Sequence, residues 1–192
     1  MACRHLLRRL PPRTVQLAGV PAWAPVGYEG PARELVRALK FRGAAALVDA
    51  MAAQIAANAP SGLLGEGAGP DPARPVLVPV PLHPRRMRAR GFNQARLLAE
   101  ALARRTGLAT ADCLERLGAE GTQVGRGRHE RRAGPAGRVL MRSGQATQAP
   151  AHALLVDDVV TTGGTLAACA AALRSAGTGE VGALAFARTL GR

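Results

Sequence analysis

The chain has 192 residues, enough for a single domain with a sizeable core. Basic residues outnumber acidic ones 26 to 13, for a formal net charge of +13, and aromatic residues make up only 3%, so the core must be aliphatic. No window approaches the roughly 18 uninterrupted apolar residues of a membrane-spanning helix, and membrane insertion is not expected.

Residues 1–27 read as a basic N-terminal tail. Pro11, Pro12, Pro21 and Pro25 interrupt any amphipathic targeting helix, and no signal-peptide apolar core is present, so a cytoplasmic location is the expectation. Residues 28–192 read as one domain. Gly30–Ala59 suits one or two helices, with Leu35, Val36 and Leu39 on one face and Leu47, Met51 and Ile55 on another. Residues 60–75, rich in Gly and Pro, suit a loop. Val76–Val80 is a short apolar run among prolines, as a buried strand would be. Gly91–Arg105 follows as a helix with Leu98, Ala99 and Leu102 inward, ended by Gly107.

Weaker strands are expected at Ala111–Leu117 and, on a sheet edge, at Val139–Met141. Between them residues 118–137 have no apolar periodicity and read as an exposed mobile loop. Leu154–Asp157 is the strongest strand, Gly164–Ala176 its helix and Val181–Ala187 the last strand. Alternating strands and helices predict an α/β fold, a mainly parallel sheet with helices on both faces. Cys3, Cys113 and Cys169 are odd in number and far apart, which gives neither a disulfide framework nor a zinc ligand set. Cys169 falls in the apolar stripe of its helix beside Leu166, Ala170 and Leu173, as a buried inert thiol would.

The stretch from Leu154 to Thr165 carries the most chemistry. An apolar strand delivers Asp157 and Asp158 to its carboxyl end, where ligands of open α/β sheets sit. Paired carboxylates there suit vicinal ribose hydroxyls. The turn that follows offers the hydroxyls of Thr161, Thr162 and Thr165 and unhindered backbone N–H groups at Gly163 and Gly164. The start of a helix behind it favours an anion such as a 5-phosphate.

Positive charge is concentrated elsewhere. Residues 83–142 hold fourteen basic and five acidic side chains, and nearly all the cations are arginine; Lys40 is the single lysine. After the first strand, Arg85, Arg86, Arg88 and Arg90 lie in a turn on the same sheet edge as the aspartates, if the strands are parallel. Arginine there suits bidentate binding of phosphate. Asn93 and Gln94 at the next helix start add neutral donors, and His83 reads as a packing or hydrogen-bonding group rather than a base. These arginines also fit a solvated basic surface or diffuse nucleic-acid attraction.

The 154–165 block resembles the ribose 5-phosphate-binding signature of type I phosphoribosyltransferases. Val78-Pro79-Val80-Pro81-Leu82-His83-Pro84-Arg85-Arg86 with Arg90-Gly91-Phe92-Asn93-Gln94 resembles, more narrowly, the ComF family of that fold, as do Tyr28-Glu29-Gly30-Pro31, Leu39-Lys40-Phe41-Arg42-Gly43 and the segment from Gln123 to Arg132.

The resemblance implies 5-phosphoribosyl diphosphate as ligand. It also implies Mg²⁺ held indirectly by Asp157 and Asp158, and a loop over residues 118–137 whose Arg128, Arg131 and Arg132 meet the diphosphate. Phosphoribosyl transfer to a nitrogen nucleophile is the implied activity. A non-catalytic role with single-stranded DNA during uptake and a ligand-sensing regulator are the alternatives. Tyr28, Lys40 and Phe41 would belong to a base-side hood or serve as structural contacts. Two departures stand out. Ala133-Gly134 replaces an Asn that the family usually carries after its paired arginines, and only Cys3 remains where the family has a four-cysteine zinc module, so no zinc is expected.

Overall fold

A computed structural model describes residues 7–42, 45–65, 74–117, 138–144 and 149–190. The two longest strands, β7 (His152–Val160) and β8 (Glu180–Arg188), lie side by side and parallel at the centre of the sheet. Their apolar runs Ala153–Val156 and Ala183–Ala187 are buried almost without interruption, the pattern of strands covered on both faces. Flanking them are β4 (Val76–Pro79), parallel to β7, and β2 (Val20–Trp23), parallel to β8. Outermost beyond β2 is β1 (Val15–Leu17), antiparallel to it, and the sheet order is β1-β2-β8-β7-β4. A short β3 (Val26–Gly27) also pairs with β8.

Residues 15–27 therefore lie inside the sheet rather than forming a tail. A two-residue turn at Ala18 and Gly19, both at positive φ, joins β1 to β2 as a tight hairpin requires. Trp23 is buried and donates its indole N–H to the Pro11 carbonyl at 3.2 Å. Pro11, Pro12 and Pro25 lie outside the named strands, and Pro21 of β2 is matched only with Gln16 of the edge strand β1, the pairing with β8 starting at Ala22.

Helices cover both faces. On one side α1 (Gly30–Arg42), α2 (Ala45–Asn58) and α4 (Gln94–Thr106) pack Val36, Leu39, Met51, Ile55, Leu98 and Leu102 against Leu77, Leu154 and Val156. On the other, α5 (Gly164–Ser175) packs Leu166, Cys169 and Leu173 against Val78, Leu155 and Ala183. The mainly parallel α/β architecture expected from the alternating pattern is thus present.

Two local expectations change. The arginine turn after β4 is a short helix, α3 (Pro84–Arg90): Pro84 opens it, the His83 imidazole accepts from the Arg85 N–H at 3.2 Å, and Gly91 at φ 80° ends it. The next helix accordingly starts at Gln94, three residues later than its apolar pattern suggests. The strands β5 (Leu114–Leu117) and β6 (Arg138–Met141) pair only with each other, antiparallel, and bury Leu114 and Val139 against the α5 side. They are not added to the main sheet because Ala109–Ala111 already occupies the β4 edge, exchanging N–H···O bonds of 2.9 Å with Leu77. Among the described residues no helix is long and apolar enough to cross a membrane.

Candidate functional site

The site follows from unequal strand lengths. Strand β7 keeps pairing with β8 through Val160↔Arg188, whereas its pairing with β4 stops at Pro79↔Val156. Asp157 and Asp158 thus lie within β7, not past its end, but beyond the point where β4 leaves it. Strand alternation sends their side chains to opposite faces. Asp158 follows Leu154 and Val156 toward α1 and α4, and Asp157 follows Leu155 toward α5.

Asp158 is 3% exposed; its Oδ1 accepts a hydrogen bond, whereas its buried Oδ2 has an ion-pair partner but no hydrogen bond of good geometry among the described residues. The Lys40 ammonium of α1 meets Oδ2 at 2.9 Å, and the Gln94 amide of α4 donates to Oδ1 at 3.2 Å. Gln94, itself buried, accepts in turn from Arg90 of α3 at 2.5 Å. Asp157 is partly exposed, and its Oδ1 accepts the Asp158 backbone N–H at 2.7 Å. Burial, and then the adjacent Asp158 charge, hold the Asp157 carboxyl well above the usual carboxylate range, while Lys40 partly opposes this. Beneath it, burial pushes the Cys169 thiol up to about 12, so that thiol stays neutral and unreactive.

The loop after β7 is open to an anion. Thr161, Thr162 and Gly164 are exposed and Thr165 is half-buried. Gly163 caps α5 at φ 84° and, among the described residues, no side chain caps it, whereas α4 is capped by Asn93. The α5 start therefore offers first-turn N–H groups and the positive end of its dipole directly after the strand that carries the aspartates.

Of the arginines expected at a diphosphate, Arg85, Arg86 and Arg88 are exposed on α3 and Arg90 is half-buried. Arg86 and Arg90 lie one turn apart. Burial lowers the pKa of Arg90, Asp158 opposes the change and the like charge of Arg86 adds to it. Arg116 of β5 faces the same group: burial lowers its pKa first, Arg86 lowers it further, and Asp157 acts oppositely. Nothing in the sequence singles Arg116 out, because its proximity depends on the β5–β6 ribbon folding over α5.

Asn93, expected to offer donors to a ligand, uses its amide within the fold. Oδ1 accepts from Ala95 N–H at 3.0 Å and Nδ2 donates to the Val80 carbonyl at 3.0 Å, which fixes the elbow between β4 and α4. Arg128, Arg131 and Arg132 lie outside the described residues, in the segment joining Leu117 of β5 to Arg138 of β6. Among the described residues no group of three or more His, Cys, Asp or Glu is placed to hold a metal ion. Of the two carboxylates only Asp157 is open enough to suit the water shell of a Mg²⁺ that arrives with a phosphorylated ligand, since Asp158 is buried against Lys40 and Gln94. No family model matches the chain, and no curated protein matches it.

Proposed function

We propose that this protein binds 5-phosphoribosyl diphosphate with Mg²⁺ and transfers its phosphoribosyl group to a nitrogen nucleophile. The observation that carries the reading is the shared sheet edge. The carboxylates lie on β7 beyond its pairing with β4, an uncapped helix start follows them in the chain, Arg90 is linked to Asp158 through Gln94, and Arg86 and Arg116 are within electrostatic reach. A ligand with an anion at each end and hydroxyls between would match all three.

On this reading the α5 N-terminus and Thr161, Thr162 and Thr165 take the 5-phosphate, as helix starts take anions. Asp157, whose carboxyl is the less engaged of the two, accepts from the ribose hydroxyls. The arginines neutralise the diphosphate, bidentate donors fixing its orientation. The nucleophile's nitrogen forms a bond to the anomeric carbon as the carbon–oxygen bond breaks, and diphosphate departs with the electron pair; the nitrogen then loses its proton. Mg²⁺ would offset the charge building on the leaving group, and Asp157, the less engaged carboxylate, would hold it through its water shell. The protein's contribution is position and charge rather than a covalent intermediate.

Single-stranded DNA fits less well. Of the five aromatic residues only Phe41 is exposed, and strand binding without sequence preference rests on stacked rings. Calorimetric titration with 5-phosphoribosyl diphosphate, with and without Mg²⁺, followed by a diphosphate-release screen across nitrogen acceptors, tests the proposal. Saturable binding that strengthens with Mg²⁺ is expected; no binding in either condition would remove it.

A further inference from the structure

Four polar side chains from four different elements run in one line through the wall of the site: Lys40 of α1, Asp158 of β7, Gln94 of α4 and Arg90 of α3. The links measure 2.9, 3.2 and 2.5 Å. We infer that Lys40, Asp158 and Gln94 are positioning residues that hold the Arg90 guanidinium at the diphosphate. This rests on the proposed binding of 5-phosphoribosyl diphosphate and assigns Asp158 a task different from that of Asp157.

The chemistry of each link permits one direction only. A carboxylate accepts and cannot donate, so Asp158 must receive the Gln94 NH₂. That fixes the amide orientation and leaves Gln94 Oε1 facing Arg90. A guanidinium donates and cannot accept, so the line ends at Arg90. Were the amide reversed, its oxygen would face Asp158 and its NH₂ would face Arg90, two repulsive contacts at buried positions. Gln94 is 6% exposed and Asp158 3%, so water cannot substitute for either partner without a large desolvation cost.

Lys40 completes the balance. A buried carboxylate needs a charge partner, and the single lysine of the chain supplies it with its own side chain 28% exposed. With Oδ1 bonded to Gln94 and Oδ2 buried against the Lys40 ammonium, Asp158 is poorly placed to reach ribose hydroxyls. Among the described residues Arg90 is held by one nitrogen, and its remaining donors are the ones assigned to the anion.

Two probes separate positioning from general support: inorganic diphosphate with Mg²⁺, and ribose 5-phosphate. Calorimetry on the full chain is expected to show that Gln94→Leu weakens diphosphate, and with it 5-phosphoribosyl diphosphate, by about tenfold, the scale of one mispositioned charge-assisted contact. Ribose 5-phosphate affinity should stay at the parent value. Lys40→Met should shift both probes in the same way as Gln94→Leu does, and Lys40→Arg should recover most of the diphosphate affinity. If Lys40→Met does not fold, Gln94→Leu and Lys40→Arg suffice. Equal loss of both probes, or unchanged diphosphate affinity in Gln94→Leu, overturns the inference while leaving the binding function intact. A parent protein that binds neither probe nor 5-phosphoribosyl diphosphate overturns the function first, and the relay's role with it.

Discussion

Gly163 is pressed against Leu17. A Cβ placed on Gly163 would come within 2.9 Å of the Leu17 carbonyl carbon, its oxygen and its own Cβ, and the residue sits at φ 84°. The edge strand β1 therefore forms the floor of the loop expected to hold phosphate. The N-terminal residues are tied to the site by a close backbone contact.

Gly163→Ala should consequently lower stability by roughly 2 kcal/mol or more, since left-handed strain and a backbone collision act together. Gly164→Ala should change stability by no more than about 0.5 kcal/mol, because the nearest atom to its Cβ would be Thr162 Oγ1 at 4.0 Å. Urea denaturation of both variants checks the contrast. Equal midpoints would mean that β1 yields easily and does not shape the loop.

A pH dependence follows from Asp157. Its carboxyl titrates higher in the folded protein than in the unfolded chain, first because of burial and then because of Asp158. The folded state thus holds the proton more tightly. The associated stability is complete below the ordinary carboxylate range and is lost as pH rises through the folded value. Asp157→Asn, which has no proton to lose, should melt above the parent at neutral and mildly alkaline pH. The difference should close as pH falls toward about 4. The same variant should bind 5-phosphoribosyl diphosphate more weakly. Melting curves that stay parallel across this range would show that Asp157 ionises without cost.

The arginines of α3 should distinguish diphosphate from nucleic acid. Arg85→Ala and Arg86→Ala are each expected to weaken 5-phosphoribosyl diphosphate binding by about tenfold or more, the scale of a lost charge-assisted bond. Oligonucleotide binding through the arginine-rich surface should barely respond to either change and should fall steeply with added salt as counterions are released. Paired titrations at two salt concentrations read both effects. Strong loss of oligonucleotide binding with intact ligand affinity would favour a nucleic-acid role.

Apolar periodicity and punctuation residues were enough to mark both central strands, α5 and the body of α4, because those elements are set by local pattern and by Gly107 as a stop. The same residues placed the aspartates and the Gly/Thr loop on one edge. Local pattern could not show that residues 15–27 join the sheet, since a three-residue strand such as Val15–Leu17 has too little periodicity to read and owes its place to β2 and to the loop at Gly163. Nor could it show that adjacent aspartates serve different faces. Alternation implies divergence, but only the packing of α1 and α4 on one side and α5 on the other gives Asp158 a buried amide and a half-buried ammonium as partners and leaves Asp157 half open. Lys40 and Arg116 reach the site from distant points of the chain, and contacts of that range are decided by how the layers stack, not by the residues beside them.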